Sequence, residues 1–166
     1  SEKFILNRIE EIKKVQQKFP VSVCYAVKAN SSLEIIRTMA NQDLGFDVVS
    51  EGEMRRVLLG GQRKNKIVFS GVGKTEEEIT FALKNNIFSL NVESLSELNR
   101  IEKISSKMKT IAPISIRINP DVDPETHPYI STGLRENKFG LSSGEGLVAF
   151  KMAKEMRSVK IIGIDC

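Results

Sequence analysis

Cysteine is scarce, histidine nearly missing, and long apolar runs do not occur in this 166-residue sequence. Cys24 and Cys166 are too few and too far apart for a disulfide scaffold. No stretch approaches the roughly 18 apolar residues that a membrane-spanning helix needs. The opening Ser1-Glu2-Lys3-Phe4 lacks the basic-then-apolar order of a secretory signal. The acceptor pattern Asn30-Ser31-Ser32 therefore carries no meaning for glycosylation, and the expected compartment is the cytoplasm. Charge of one sign is not concentrated either. Lys and Arg total 25 against 21 acidic residues, giving +4, and the excess never forms a block. Weak attraction for anionic ligands is allowed, but neither a nucleic-acid face nor a membrane partner is indicated. The remaining composition, 40% hydrophobic and 28% charged, is that of an ordinary globular domain.

What is present is a repeated strand-helix pattern. Strands are expected at Val23–Lys28, Phe46–Ser50, Ile67–Ser70, Phe88–Val92, Ile114–Asn119 and Lys160–Asp165. The first four recur about every 21 residues, the length of a compact strand-loop-helix-loop unit. Helix starts are marked by Ser31/Glu34, Ser50/Glu53, Thr75/Glu78, Ser94/Glu97 and Ser142/Glu145. At that spacing a hydroxyl and a carboxylate satisfy two otherwise unpaired amides. Leu33, Ile36 and Ala40 form a buried stripe, as do Leu98, Ile101 and Ile104, and a further helix with Ile5, Ile9 and Ile12 precedes the first strand.

The strands alternate instead of being apolar throughout. Ile114, Ile116 and Ile118 oppose Ser115, Arg117 and Asn119; Phe88, Leu90 and Val92 oppose Ser89, Asn91 and Glu93; Val23, Tyr25 and Val27 oppose Cys24, Ala26 and Lys28. An open doubly wound sheet buries both faces and would not tolerate this. Helices outside and small or polar residues inside predict an incomplete (β/α)8 TIM barrel, with six of its eight strands present. On this reading residues 1–166 are a partial barrel domain, and a smaller complete α/β domain is the alternative.

Tyr25-Ala26-Val27-Lys28-Ala29-Asn30 and Gly45-Phe46-Asp47-Val48-Val49-Ser50-Glu51-Gly52-Glu53 carry a family resemblance. So do Val68–Thr75, Asn91-Val92-Glu93-Ser94, Arg117-Ile118-Asn119-Pro120-Asp121 and His127–Gly140. Across nearly its whole length the sequence resembles the diaminopimelate decarboxylases, within the alanine-racemase-like, fold-type III class of pyridoxal-phosphate enzymes. The resemblance implies pyridoxal 5'-phosphate as cofactor, a homodimer, and a C-terminal β domain beyond the barrel. It also implies later site elements that this sequence lacks: a ring-stacking histidine, a glycine-rich phosphate loop and an acidic partner for the ring nitrogen. Asp165 departs from the family pattern, where histidine or a neutral residue is usual.

Lys28 is the foremost site candidate. An inward lysine at the C-terminal end of a barrel strand is costly to desolvate, which favours the neutral, nucleophilic amine. The resemblance makes it the cofactor-binding lysine; a strand-end lysine reaching solvent is the plain alternative. Asp47 sits among apolar neighbours where a carboxylate needs a cation or donors. The resemblance places it near that lysine; a turn-capping role is the alternative. Arg117 interrupts a strand of isoleucines and needs an anion or a ring of acceptors. It resembles the family arginine that faces the cofactor, against the alternative of a purely structural ion pair. Asn91 and Glu93 share its face and are expected to support it through a polar network.

His127, the only histidine, lies in a proline-stiffened loop with Asp121, Asp123 and Glu125. The spacing matches no closed metal site, and the resemblance puts the loop at the border of the active site. Lys138 precedes Phe139-Gly140 and is implied to organise a subunit interface; a surface lysine is the alternative. Gly71-Val72-Gly73-Lys74-Thr75 imitates a nucleotide-binding loop, but Val68 stands where its first glycine is required. Lys74-Thr75 instead begins a helix.

The implied reaction is decarboxylation of meso-diaminopimelate to L-lysine. Another basic amino-acid or carboxynorspermidine decarboxylase is the neighbouring alternative, and a non-catalytic pyridoxal-phosphate-binding barrel protein is the alternative of a different class. Arg135 is a candidate for the substrate's distal carboxylate.

Overall fold

The structure is a computed structural model that describes residues 2–61, 63–120 and 139–166. It divides into two compact units, Ser1–Val68 and Phe69–Cys166.

The first unit begins with helix α1 (Glu2–Lys18), whose Ile9 is buried and whose Ile5 and Ile12 are partly covered. Strand β1 (Cys24–Ala26) pairs in parallel with β2 (Gly45–Val48), matching Cys24 with Gly45, Tyr25 with Phe46 and Ala26 with Asp47. Helix α2 (Leu33–Asn41) connects them, and α3 (Glu51–Leu59) leads on to β3 (Ile67–Phe69), which crosses the boundary of the unit. Phe46, Val48, Ile36, Met54 and Val57 are wholly buried. Such side chains stabilise the unit by about 1.5–3 kcal/mol each relative to exposure.

The second unit alternates α4 (Glu76–Lys84), β4 (Ser89–Val92), α5 (Leu95–Met108), β5 (Ala112–Arg117), α6 (Ser143–Glu155) and β6 (Val159–Asp165). Strand β5 lies between β4 and β6, parallel to both. Ala112, Ile114 and Ile116 are fully buried, whereas Pro113, Ser115 and Arg117 are only partly so. This is the alternation read from the sequence, with the isoleucines packed under the helices. Between β5 and β6 the register slips once: Ile114 pairs with Ile161, but Ser115 pairs with Gly163. Ile162 is the extra residue of a bulge.

All six expected strands are present, with different ends. The first stops at Ala26, and Val27–Ala29 wind a short 3-10 turn. Lys28 therefore sits on a turn past the strand, not on the strand itself. Val27 is wholly buried and anchors that turn, while Tyr25 donates from its hydroxyl to the Asn30 carbonyl at 3.0 Å and fixes the exit. The fifth strand begins earlier, at Ala112, and ends at Arg117; Ile118 keeps only a single bridge to Leu141. Phe88 lies outside β4 and is exposed.

Four of the five capping pairs act where expected. Thr75/Glu78 and Ser142/Glu145 close both halves of the box. Ser50 and Ser94 cap the amides of Glu53 and Glu97, while those carboxylates reach one residue further back, to the amides of Val49 and Glu93. The fifth is displaced. Ser32, not Ser31, caps α2, because Asn30 Oδ1 accepts from the Ser32 amide at 2.9 Å and turns the chain one residue later.

Candidate active site

Enzymes built on parallel α/β barrels place their chemistry at the C-terminal ends of the strands. In the first unit those ends hold Lys28 and Asp47. Lys28 is exposed on the 3-10 turn that follows β1, two residues beyond Ala26, the register partner of Asp47. Exposure at this strand end is not confined to the turn, since Cys24 on β1 is exposed as well, whereas Val27 on the turn is buried. Beneath Lys28 the sheet face is made of small residues. Cys24 Sγ lies over Gly45 so closely that a Cβ built there would come within 2.5 Å of it. Burial of the sulfur and the nearby Asp47 carboxylate push the Cys24 thiol up from its ordinary value, with Lys66 opposing them. Cys24 as a residue is exposed; it is the sulfur, tucked against the sheet, that is desolvated. Tyr25 points the other way, edge-on to Phe46 with ring centroids 6.1 Å apart, and burial raises its phenol.

In the second unit Arg117 ends β5, and its Nη1 donates to both carboxylate oxygens of Glu93 at 2.9 and 3.1 Å. Its Nε lies 3.6 Å from Asp165, its register partner on β6, and its guanidinium stands 5.9 Å from the centre of the Phe139 ring. Glu93 also accepts the Gly71 amide at 2.9 Å. The network foreseen for Asn91 and Glu93 divides. Glu93 pairs with Arg117, while Asn91 donates to Ser70 Oγ at 3.1 Å and adjoins Ser89, whose hydroxyl meets that of Ser115 at 2.9 Å.

Sequence reasoning assigned Lys74 only to a helix start, and there it missed a buried cation. Its side chain is 1% exposed, and its ammonium lies 2.7 Å from Glu97 Oε1 and donates to the carbonyls of Asn91 and Gly71 at 2.6 and 2.8 Å. The available signal was chemical: Glu97, already a helix-start residue, has a second oxygen to satisfy. A cavity of about 170 Å³ opens beside this pair, lined by Val72, Ser94, Ser96 and Arg100 among others. A larger one, about 300 Å³, lies at the opposite strand ends against Ala82, Leu83 and Ile111, away from every candidate residue. Position at the C-terminal ends outweighs volume. His127, Lys138 and Arg135 lie outside the described residues, and among the described residues no cluster of potential metal ligands occurs.

Parallel strands joined through helices, with polar side chains at their C-terminal ends, define a barrel-type α/β enzyme domain. The chain belongs to the pyridoxal-dependent decarboxylases: their pyridoxal binding domain matches residues 5–166. It is 53% identical over 144 residues to the diaminopimelate decarboxylase of Neisseria meningitidis serogroup B, covering 87% of this chain and 35% of that protein. The Helicobacter pylori diaminopimelate decarboxylase crystallised with L-lysine superposes with a TM-score of 0.87 at 46% identity, over 95% of this chain and 41% of that one. The M. jannaschii enzyme, also with L-lysine, gives 0.86 at 43% identity, over 98% and 39%. The chain thus spans about 35% of the Neisseria protein's length, and its fold is that of part of a TIM-barrel decarboxylase.

Pyridoxal phosphate is the cofactor of this family's domain, and the residues present fit it. An exposed primary amine stands just past the end of β1, the Asp47 carboxylate follows on the neighbouring strand, and the small residues Cys24, Ala26 and Gly45 make up the sheet face beneath.

Proposed function

We propose that this chain supplies the cofactor-lysine portion of a decarboxylase that converts meso-diaminopimelate to L-lysine and carbon dioxide. The observation that carries the reading is the exposed Lys28 amine at the C-terminal end of β1, in a chain about half identical to diaminopimelate decarboxylases. Lys28 is the attachment point of pyridoxal phosphate. Asp47, on the adjacent strand end, sets the local charge around that amine. Arg117, oriented by Glu93, contacts the cofactor through its guanidinium. Asn91 supports the strand end, His127 borders the substrate, and Lys138 serves a homodimer interface. Bound pyridoxal phosphate supplies a sink for the electron pair left when carbon dioxide departs. The reading also includes a homodimer working in the cytoplasm.

Diaminopimelate carries a distal carboxylate that lysine and ornithine lack. A site built to pair it leaves a donor or cation unmet when either smaller substrate binds, at a cost of about 1–3 kcal/mol or more. Discrimination of roughly tenfold to several hundredfold in kcat/KM follows. Carbon dioxide release from meso-diaminopimelate, ornithine and lysine, measured on the full-length polypeptide that carries this chain, tests the reading. Equal or greater efficiency with ornithine overturns it.

A further inference from the structure

The Lys74–Glu97 pair has no place in the reading above, yet it is the most completely enclosed charge pair among the described residues, at 1% and 6% exposure. Buried ion pairs are poor devices for stability alone, since well-packed apolar residues of similar volume commonly do as well or better. Their geometric demands are high, and here each demand is met by a group that leads to Arg117. The three hydrogens of the Lys74 ammonium match three acceptors: Glu97 Oε1, the Asn91 carbonyl and the Gly71 carbonyl. The other Glu97 oxygen accepts the Glu93 amide at 2.8 Å. The Gly71 amide, in the same short loop as the carbonyl that Lys74 holds, donates to the Glu93 carboxylate at 2.9 Å. That carboxylate in turn receives Arg117.

Glu93 is consequently gripped at its backbone and at its side chain, and both grips lead back to one ammonium. Gly71 reinforces this. Its φ of +96° lies in the left-handed region, so the loop holds an unusual conformation that Lys74 ties down through the carbonyl. Arg100 closes the assembly from outside by donating to the Lys74 carbonyl at 2.8 Å.

We propose that Lys74 and Glu97 are a positioning pair that fixes the Glu93 carboxylate, and through it the guanidinium of Arg117, at the C-terminal end of β5. The pair touches neither cofactor nor substrate. Its consequence for the cofactor rests on the reading that Arg117 contacts pyridoxal phosphate; its consequence for Arg117 does not.

Two variants of the full-length polypeptide separate these statements. Lys74→Met removes the ammonium and leaves Glu97 without its cation. Lys74→Met/Glu97→Gln removes both charges and keeps an oxygen for the Glu93 amide, which protects folding. In crystal structures of the cofactor-free variants, the Gly71–Glu93 and Arg117–Glu93 contacts are expected to open beyond hydrogen-bonding distance, with α4 and α5 in place. Both contacts intact in either folded variant would overturn the positioning role. The second measurement is the Kd for pyridoxal phosphate by absorbance titration. Lys74→Met should raise it about tenfold, a size within reach of residues sharing one network, but less than twofold in an Arg117→Ala background. The same fold-change in both backgrounds marks a general structural effect and sinks the proposal. An Arg117→Ala variant with unchanged Kd would instead remove Arg117 from the cofactor site, while the crystal structures decide the positioning role by themselves.

Discussion

Cys24 Sγ and the Cα of Gly45 are in such close register across β1 and β2 that a methyl group on residue 45 would meet the sulfur at 2.5 Å and the Lys66 carbonyl oxygen at 3.0 Å. The sulfur can rotate away; the carbonyl belongs to backbone and cannot. Gly45→Ala should therefore destabilise the protein by about 1–3 kcal/mol, the usual size of overpacking, read as a fall in Tm on thermal unfolding. Adding Cys24→Ala relieves the sulfur contact and should return part of the loss, leaving the carbonyl contact. A Gly45→Ala protein as stable as the parent would show that the two strands separate more easily than this packing implies.

Lys28 and Lys74 are opposite kinds of lysine. The first is exposed on a turn, and the second has its ammonium spent on three acceptors inside the second unit. Borohydride reduction of the cofactor-loaded polypeptide, followed by peptide mapping, should place the pyridoxyl label on the Lys28 peptide. Lys28→Ala should lose the label and at least about a thousandfold in activity, in line with removal of a covalent catalytic group. A label on Lys74 would contradict both the assignment and the buried geometry.

Helix α4 starts with a complete capping box: Thr75 Oγ1 accepts the Glu78 amide at 3.1 Å, and Glu78 accepts the Thr75 amide at 3.0 Å. Thr75→Ala should cost about 1 kcal/mol. The local measurement is hydrogen exchange at the Glu78 amide, which should accelerate while the core amides of β4 stay protected. Unchanged exchange there would mean that water replaces the hydroxyl without loss.

Ile114, Ser115, Ile116 and Arg117 announce both a strand and its two faces, because a period of two leaves no other consistent placement. Lys28 was harder. Alternation extends through Val27 and Lys28 as though the strand continued, but the chain winds a 3-10 turn there, and a turn of three residues has no periodic signature. The displaced cap at Ser32 has a similar origin, since two adjacent serines offer the same hydroxyl and only the Asn30 side chain selects between them. The Lys74–Glu97 pair is legible only in three dimensions. Its members are 23 residues apart, and each already had a sufficient local explanation at the start of a helix.

Asp47 provides a test that needs neither cofactor nor turnover. The Cys24 thiol is raised from its ordinary value of 9.0 first by burial of the sulfur and next by the Asp47 carboxylate, while Lys66 pulls it down. The thiolate is the species that reacts with alkylating agents. Burial and a nearby negative charge both penalise the thiolate, so its titration moves to higher pH. Alkylation of Cys24 by iodoacetamide in the cofactor-free protein, followed on the Cys24 peptide, should reach half-maximal rate above pH 9.0. Asp47→Asn keeps the shape and removes the charge. Its midpoint should shift downward but remain raised, since burial is the larger cause. Lys66→Met removes the opposing cation and should shift the midpoint upward. Opposite displacements in the two variants would establish that the carboxylate at the end of β2 acts electrostatically on the sheet face below Lys28. An Asp47→Asn midpoint equal to that of the parent would mean that its charge is spent elsewhere, and Asp47 would then have no claim to set the charge around the Lys28 amine.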